Sequence, residues 1–167
     1  MNKPVRRAWI PALLWLAVIA FESTPLMSAD NTGHLLLAVA RFFDSRITLA
    51  QLELLNGVGR KIGHCLIYGI LSLLMLRAWW ATLVLPRSAP RLPSWTAMVT
   101  TWSGRAAVLA LLSAAATAGL DEWHQTFLPG RTGTIRDVAL DTAAAAFVQL
   151  LVIAARAVRG KQVAISN

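Results

Sequence analysis

The chain has 167 residues, of which 56% are hydrophobic and 14% are charged, and its formal net charge is +8. This composition is typical of a single small integral membrane domain and unlike that of a soluble globular protein. The excess of Lys and Arg does not indicate nucleic-acid binding, because these residues lie between apolar runs and form no basic patch with interleaved aromatic residues.

The first predicted membrane span covers residues 8–21 and follows a start with three Lys or Arg residues. A basic start before such an apolar run also fits a secretory signal peptide. The cleavage pattern is poor, since Met27 stands where a small residue would precede Ala29 by two positions. We therefore expect this segment to be retained as a span.

Two shorter patterns follow at residues 34–43 and 47–55, where apolar residues recur at helical spacing. Neither is long enough to cross a bilayer. We expect one or two short amphipathic helices that lie at the membrane surface or pack over the spans. An ordinary covering loop is the alternative.

Three further spans are predicted at about residues 64–85, 95–120 and 135–158. Only Arg77 interrupts the apolar run of the first of these, and its long stem can reach the headgroups. The sequence thus predicts an all-α polytopic membrane protein with four transmembrane helices, forming a single domain over residues 1–167.

The limits of the last two spans depend on residues that break or cap helices. The Pro-rich stretch 86–94 cannot continue a helix, so the third span begins either near Trp95 or near Arg105. Thr134 is placed to cap the fourth span after a turn at Pro129.

The charge pattern predicts the orientation of the spans. The amino terminus, the 86–105 connector and the carboxyl-terminal tail carry Lys and Arg without acidic residues, and by the positive-inside rule these parts face the cytoplasm. All eight carboxylates lie in 22–60 or 121–141. We expect a multi-pass protein of the cytoplasmic membrane with both termini inside and its acidic end outside.

Polar side chains are concentrated where the second, third and fourth spans reach that outer end. An unpaired charge in hydrocarbon costs roughly 2.5 to 3.5 kcal/mol on insertion scales, so the concentration indicates a functional site. On α-helical spacing, Lys61 shares one face with His64 and Tyr68, and Asp121 shares another with His124 and Gln125. The candidate site residues are Lys61, His64, Tyr68, Asp121, Glu122, Gln125, Arg131, Arg136, Asp137 and Asp141.

Two roles are open for these residues. His64, Asp121 and Glu122 are the candidate catalytic groups, acting as general acid and base. The others are candidate ligand-binding residues, among which the cations Lys61, Arg131 and Arg136 could hold a phosphate beside a helix amino terminus. Asp137 opposes this role, because its carboxylate would repel the phosphate.

Structural roles are the alternative. Thr134 and Asp137 have the spacing of a variant capping box. Lys61 and Arg131 could simply pair with carboxylates as a clasp between helices. A metal site assembled from His and acidic residues is not predicted, because no pair has the spacing of a specific metal motif, and no cofactor is predicted.

Three motifs occur in the order in which a known family has them, and together they organise residues 8–155. They lie in 21–25, in 61–68 (KIGHCLIY) and in 121–137 (DEWHQTFLPGRTGTIRD). The matching residues are Phe21, Ser23, Thr24, Pro25, Lys61, His64, Tyr68, Asp121, Glu122, Gln125, Phe127, Pro129, Gly130, Arg131, Thr134 and Asp137. In these motifs the chain resembles the VanZ-like membrane proteins, a family named for a protein associated with resistance to the glycopeptide teicoplanin. Asp141 departs from the pattern, which usually has Asn there.

The resemblance implies a multi-pass membrane protein and leaves its biochemical activity open. We expect recognition of an anionic lipid or lipid-linked cell-envelope intermediate in the outer leaflet, with a contribution to glycopeptide resistance implied by the resemblance. The alternative is a membrane enzyme that acts on a lipid phosphate or glycan through Asp121, Glu122 and His64. Transport is a weaker third hypothesis, because four short helices with one polar end supply no polar path across the bilayer.

Overall fold

The computed structural model describes residues 2–27, 33, 39, 42, 48–129, 131 and 133–166. All regular elements in these ranges are helical. They are α1 (Lys3–Glu22), a 3-10 turn (Pro25–Met27), α2 (Leu49–Val84), α3 (Trp95–Thr100), α4 (Gly104–Gln125) and α5 (Ile135–Ser166). Four of the five α-helices are long and apolar enough to cross a membrane. The predicted all-α architecture with four spans is confirmed.

Helix α1 begins five residues before the predicted span because the sequence supplies a cap there. The Asn2 side chain accepts a hydrogen bond of 3.3 Å from the Val5 amide, and Pro4 occupies the first turn, where its missing N–H is not needed. The basic residues of the amino terminus therefore form the first turns of the span.

Helix α2 begins at a capping box in which the Thr48 hydroxyl accepts from the Gln51 amide, while the Gln51 side chain accepts from the Thr48 amide. Residues 49–55 are helical as expected, but they continue into the second span and form no separate amphipathic helix. Leu52 is buried within this extension. The helix predicted at 34–43 lies outside the described residues, apart from positions 39 and 42.

The third span is α4, so the start near Arg105 is confirmed and the start near Trp95 is wrong. Ser103 caps α4 by accepting from the Ala106 amide, and α3 is a separate short helix capped by Ser94. Arg77 meets this connector. Its guanidinium donates to the Pro93 carbonyl at 2.8 Å and lies 4.3 Å from the centre of the Trp95 ring.

Helix α2 is central and packs against α1, α4 and α5, while α4 and α5 also pack against each other. The packing relies on small residues, since α4 buries Ala106, Ala110, Ala114 and Ala118 at intervals of one turn. Between α2 and α5, the buried Gln149 amide donates to the Ser72 hydroxyl at 2.9 Å. Close helix approach and the hydrogen bonds of Ser72 with Gln149 and with the Ala145 carbonyl hold these spans together.

The amino terminus, the connector and the end of α5 lie at one end of the bundle. Asn2 donates to the Arg87 carbonyl at 3.1 Å, and the Arg156 guanidinium lies 5.6 Å from the centre of the Trp102 ring. Helices α1 and α4 therefore run in the same direction, opposite to α2 and α5. This arrangement brings the end of α4 and the start of α5 to the other, acidic end.

Candidate functional site

The acidic end contains a histidine–carboxylate pair between α2 and α5. His64 Nδ1 lies 3.2 Å from Asp141 Oδ2, and the pair is an ion pair when the imidazole is protonated. Asp141 is fully buried, and its other oxygen, Oδ1, has no hydrogen-bond partner in the part of the chain that the structure describes. A buried carboxylate oxygen without a partner is costly, so this position calls for an explanation.

Asp121, in the last turns of α4, is held by two buried side chains. Its Oδ2 accepts from the Tyr68 hydroxyl at 3.3 Å and from the Gln125 amide at 3.2 Å. The Tyr68 ring also stacks against His64 with the ring centres 6.4 Å apart. These contacts connect Asp121 on α4 with the face of α2 that carries His64.

Glu122 is buried and caps the following span. Its Oε2 accepts a 2.8 Å hydrogen bond from the Thr134 amide, just before α5 begins. Amide groups at a helix start have no partner within the helix, so a carboxylate from α4 satisfies one of them.

The predicted capping box of Thr134 and Asp137 is confirmed for one of its two bonds. The Thr134 hydroxyl accepts from the Asp137 amide at 3.2 Å, as expected. The Asp137 carboxylate accepts from the Thr134 hydroxyl at 2.8 Å and leaves the Thr134 amide to Glu122. In a complete capping box, the Asp137 side chain would accept from the Thr134 amide. Here Glu122 of α4 accepts from that amide instead, so the second bond is made between helices.

The close contact between the end of α4 and the segment before α5 requires a glycine at position 133. A Cβ atom added at this position would overlap the main-chain carbonyl of Glu122 and lie 2.9 Å from Thr126 Cγ2. The chain thus passes against the end of α4 so closely that a side chain does not fit. This close approach explains why Gly stands immediately before the capping residue.

Arg131 lies between α4 and α5 and is 8% exposed. Its guanidinium donates to the carbonyls of Glu22 at 2.8 Å and Thr24 at 3.1 Å, at the carboxyl end of α1. A cation is favourable there because the last carbonyls of a helix lack partners within it. Burial lowers the pKa of Arg131 from its ordinary value.

The predicted clasp of Lys61 and Arg131 with carboxylates is not formed among the described residues, where neither cation makes an ion pair with Asp121, Glu122 or Asp141. Lys61 and Arg136 are exposed, and Asp137 is half-buried. The structure therefore brings together His64, Tyr68, Asp121, Glu122, Gln125 and Asp141, and it leaves Lys61 and Arg136 at the rim.

Three of these side chains converge on one point. One nitrogen or oxygen atom from each of His64, Glu122 and Asp141 lies within 4.8 Å of the other two. The three residues come from α2, α4 and α5, so the point lies where these spans meet. Among the described residues, the nearby His124 and Asp137 do not belong to this group.

A groove of about 420 Å³ lies between α1 and α4. Its polar end holds Ser23, whose hydroxyl lies 3.2 Å from His124 Nδ1, together with Asp121. The remaining lining residues are Leu16, Ile19, Ala20, Thr117 and Leu120. Sequence reasoning missed this groove and the role of Ser23. The signal was present, since both sets follow the i, i+3, i+4, i+7 spacing of one helix face.

Residues 8–156 match the family described as VanZ/LLP1. The chain belongs to the VanZ/LLP1 family. The match includes every candidate site residue and confirms the resemblance found in the sequence. No curated protein and no solved structure matches the chain.

In this VanZ/LLP1 protein, the three motifs that carried the resemblance contact one another. Ser23 of the first motif bonds His124 of the third, and the third motif's Arg131 binds the carbonyl of Thr24. Tyr68 of the second motif bonds Asp121 of the third. Motifs that are far apart in the chain thus form one structural unit at the acidic end.

Proposed function

We propose that this VanZ/LLP1 protein recognises an anionic lipid or lipid-linked envelope intermediate in the outer leaflet. The observation that carries the proposal is the groove between α1 and α4. Its walls are mainly apolar, and its polar residues lie at one end. This distribution matches an amphiphile, whose chain is apolar and whose headgroup is polar.

The direction of the two helices supports this orientation of a lipid. Because α1 and α4 run in the same direction, Ser23 and His124 lie together beyond the apolar positions of both helices. An acyl or isoprenoid chain would lie along Leu16, Ile19 and Leu120. The headgroup would then reach the level of the acidic end.

The headgroup contacts belong to the same proposal. Asp121 would accept from headgroup hydroxyl groups, and His124 with the rim cations Lys61 and Arg136 would attract a phosphate. Arg131 contributes to this positive potential while its guanidinium holds the end of α1. Tyr68 and Gln125 hold the Asp121 carboxylate in place through hydrogen bonds.

We further propose that the acidic end lies outside the cytoplasmic membrane and that both termini are cytoplasmic. The basic residues of the amino terminus, the connector and α5 lie together at the opposite end, as the positive-inside rule requires for one cytoplasmic face. A lipid of the outer leaflet would therefore present its headgroup to the polar end of the groove.

The experiment compares lipid retention in the parent protein, Ala20→Trp and Ala139→Trp. Ala20 lines the groove, whereas Ala139 is exposed on α5 at the same end and does not line it. Each protein is purified in mild detergent and studied by native mass spectrometry. We expect Ala20→Trp to lose the retained anionic lipid and Ala139→Trp to keep it. Equal retention in all three proteins contradicts the proposal.

A role in glycopeptide resistance would follow if the bound lipid were a target of the antibiotic, because binding would change its access to that target. The test is the teicoplanin concentration that inhibits a sensitive host expressing each of these proteins. If the host that expresses Ala20→Trp is as resistant as the host that expresses the parent protein, resistance does not depend on the groove.

The convergence of His64, Glu122 and Asp141 beside the groove residue Asp121 favours a second candidate function. The protein would then be an enzyme that acts on the lipid phosphate or glycan by acid and base catalysis. Asp121→Asn distinguishes the two functions. Loss of turnover with retained lipid binding supports catalysis, whereas a parent protein without turnover supports binding alone.

A further inference from the structure

We propose that His64, Glu122 and Asp141 form a binding site for one divalent transition-metal cation, with Zn²⁺ the best fit. The site is independent of lipid recognition in the groove. It also differs from the expectation based on sequence spacing, which predicted no metal. Spacing missed it because each ligand comes from a different helix.

The ligand types fit the cation. One imidazole nitrogen and two carboxylate oxygens are a mixed set that suits Zn²⁺ better than Mg²⁺, which prefers oxygen ligands and retains several waters. Three protein ligands leave a fourth position open, as in catalytic zinc sites.

The distances are close to those of a coordinated ion. Two ligands of a tetrahedral Zn²⁺ lie about 3.3 Å apart, given metal–ligand bonds of about 2.0 to 2.1 Å. The measured separation between His64 Nδ1 and Asp141 Oδ2 is 3.2 Å, and all three potential ligand atoms lie within 4.8 Å of one another. Rotation of the Glu122 side chain that moves its carboxylate by up to about 1.5 Å would bring the longest separation of 4.8 Å to the tetrahedral value.

The burial of two carboxylates is a second observation that supports the metal site, and it is independent of the distances. Asp141 is 0% exposed, its Oδ1 has no hydrogen-bond partner within the described ranges, and Glu122 is 5% exposed. Among the described residues, neither carboxylate forms an ion pair with Lys or Arg. Two buried carboxylates need a compensating positive charge, and one divalent cation with a neutral imidazole supplies it.

The surrounding contacts would hold the ligands in place. The Thr134 amide fixes Glu122 through Oε2, leaving Oε1 for the metal, and Tyr68 stacks beside the His64 ring. In known metal sites, neighbours of this kind orient the residues that bind the ion. The site is therefore built from groups that the fold already holds near one another.

The test measures Zn²⁺ binding to the whole 167-residue chain in detergent after metal has been removed with a chelator. We expect about one Zn²⁺ per chain in the parent, and an affinity at least about tenfold lower in His64→Gln and Asp141→Asn. His124→Gln is the matched control, because it changes a nearby imidazole outside the group, and it should bind as the parent does. Mg²⁺ at the same concentration should not compete.

Co²⁺ provides a measurement that needs no variant. A site with nitrogen and oxygen ligands and four-coordinate geometry gives visible absorption bands when Co²⁺ replaces Zn²⁺, and addition of Zn²⁺ should remove them. A parent protein that binds no Zn²⁺ and shows no such bands overturns the proposal. Unchanged affinity in both His64→Gln and Asp141→Asn overturns it as well.

Discussion

The main-chain amide of Thr134 donates a 2.8 Å hydrogen bond to the buried carboxylate of Glu122. This bond joins the last turn of α4 to the residue that immediately precedes α5. It satisfies a helix-start amide that has no partner within its own helix, so the two spans are fixed relative to each other where the polar residues meet.

Removal of that acceptor should destabilise the bundle. Glu122→Leu leaves the amide of the half-buried Thr134 without its acceptor, and we expect a loss of about 1 to 3 kcal/mol in unfolding free energy. Glu122→Gln keeps a carbonyl acceptor of similar shape and should lose less. Urea unfolding in detergent with chelator present measures both variants. Equal losses would show that the Thr134 bond does not depend on an acceptor at this position.

Gly133 should not tolerate a side chain. A Cβ would overlap the Glu122 carbonyl, and overpacking of this kind costs about 1 to 3 kcal/mol, so Gly133→Ala should lower Tm. Gly119→Ala is the control, since no atom lies within 4 Å of a Cβ added there. Helix propensity should stabilise that variant by up to about 1 kcal/mol. A Tm of Gly133→Ala above that of the parent would refute the close approach of Gly133 to the Glu122 carbonyl.

Arg131 should contribute mainly through its two carbonyl contacts with the end of α1. Arg131→Lys retains the charge but cannot reproduce the paired geometry of the guanidinium, and hydrogen bonds to charged groups contribute about 1.5 to 3 kcal/mol each. We expect a clear loss of stability in this variant. Arg136→Lys, at an exposed position, should change stability by less than about 0.5 kcal/mol. Similar effects of the two substitutions would exclude the structural role of Arg131.

The orientation of the bundle can be tested by labelling with a membrane-impermeant thiol reagent in intact cells. In a Cys65→Ala background, Phe127→Cys places a thiol at the acidic end, and Ser88→Cys places one at the basic end; both positions are exposed. We expect Phe127→Cys to react directly and Ser88→Cys to react only after permeabilisation. The reverse pattern would mean that the acidic end is cytoplasmic.

Much of the fold follows from local sequence patterns. Hydropathy identified all four spans, because each must be apolar over most of its length. Caps set the limits more accurately than hydropathy did. Asn2 and Thr48 extended α1 and α2 beyond the predicted spans, while Ser103 delayed the start of the third.

The grouping of His64, Asp121 and Asp141 at one end was also predictable, because antiparallel spans of similar length place these positions at the same level. Their individual partners were not. Which residue meets which depends on the rotation of each helix about its own axis, and that rotation is set by packing along surfaces such as the alanine stripe of α4.

The partners of Arg131 could not be predicted from the sequence either. Its partners are carbonyls of Glu22 and Thr24, more than a hundred positions earlier in the chain. Main-chain carbonyls leave no side-chain signature, so the sequence favoured a phosphate or carboxylate partner. Ser23 was overlooked for a related reason, since its contact with His124 depends on the parallel arrangement of α1 and α4.

The central claim, that a lipid occupies the groove between α1 and α4, is tested most directly by photo-crosslinking in native membranes. A benzophenone amino acid replaces Leu120 in the groove or Ile62 on the exposed surface of α2; these positions are 62% and 55% exposed. Lipids crosslinked at each position are identified by mass spectrometry. We expect one anionic or lipid-linked species to be enriched at position 120 over position 62. The same lipid composition at both positions, equal to that of the membrane, would contradict the claim.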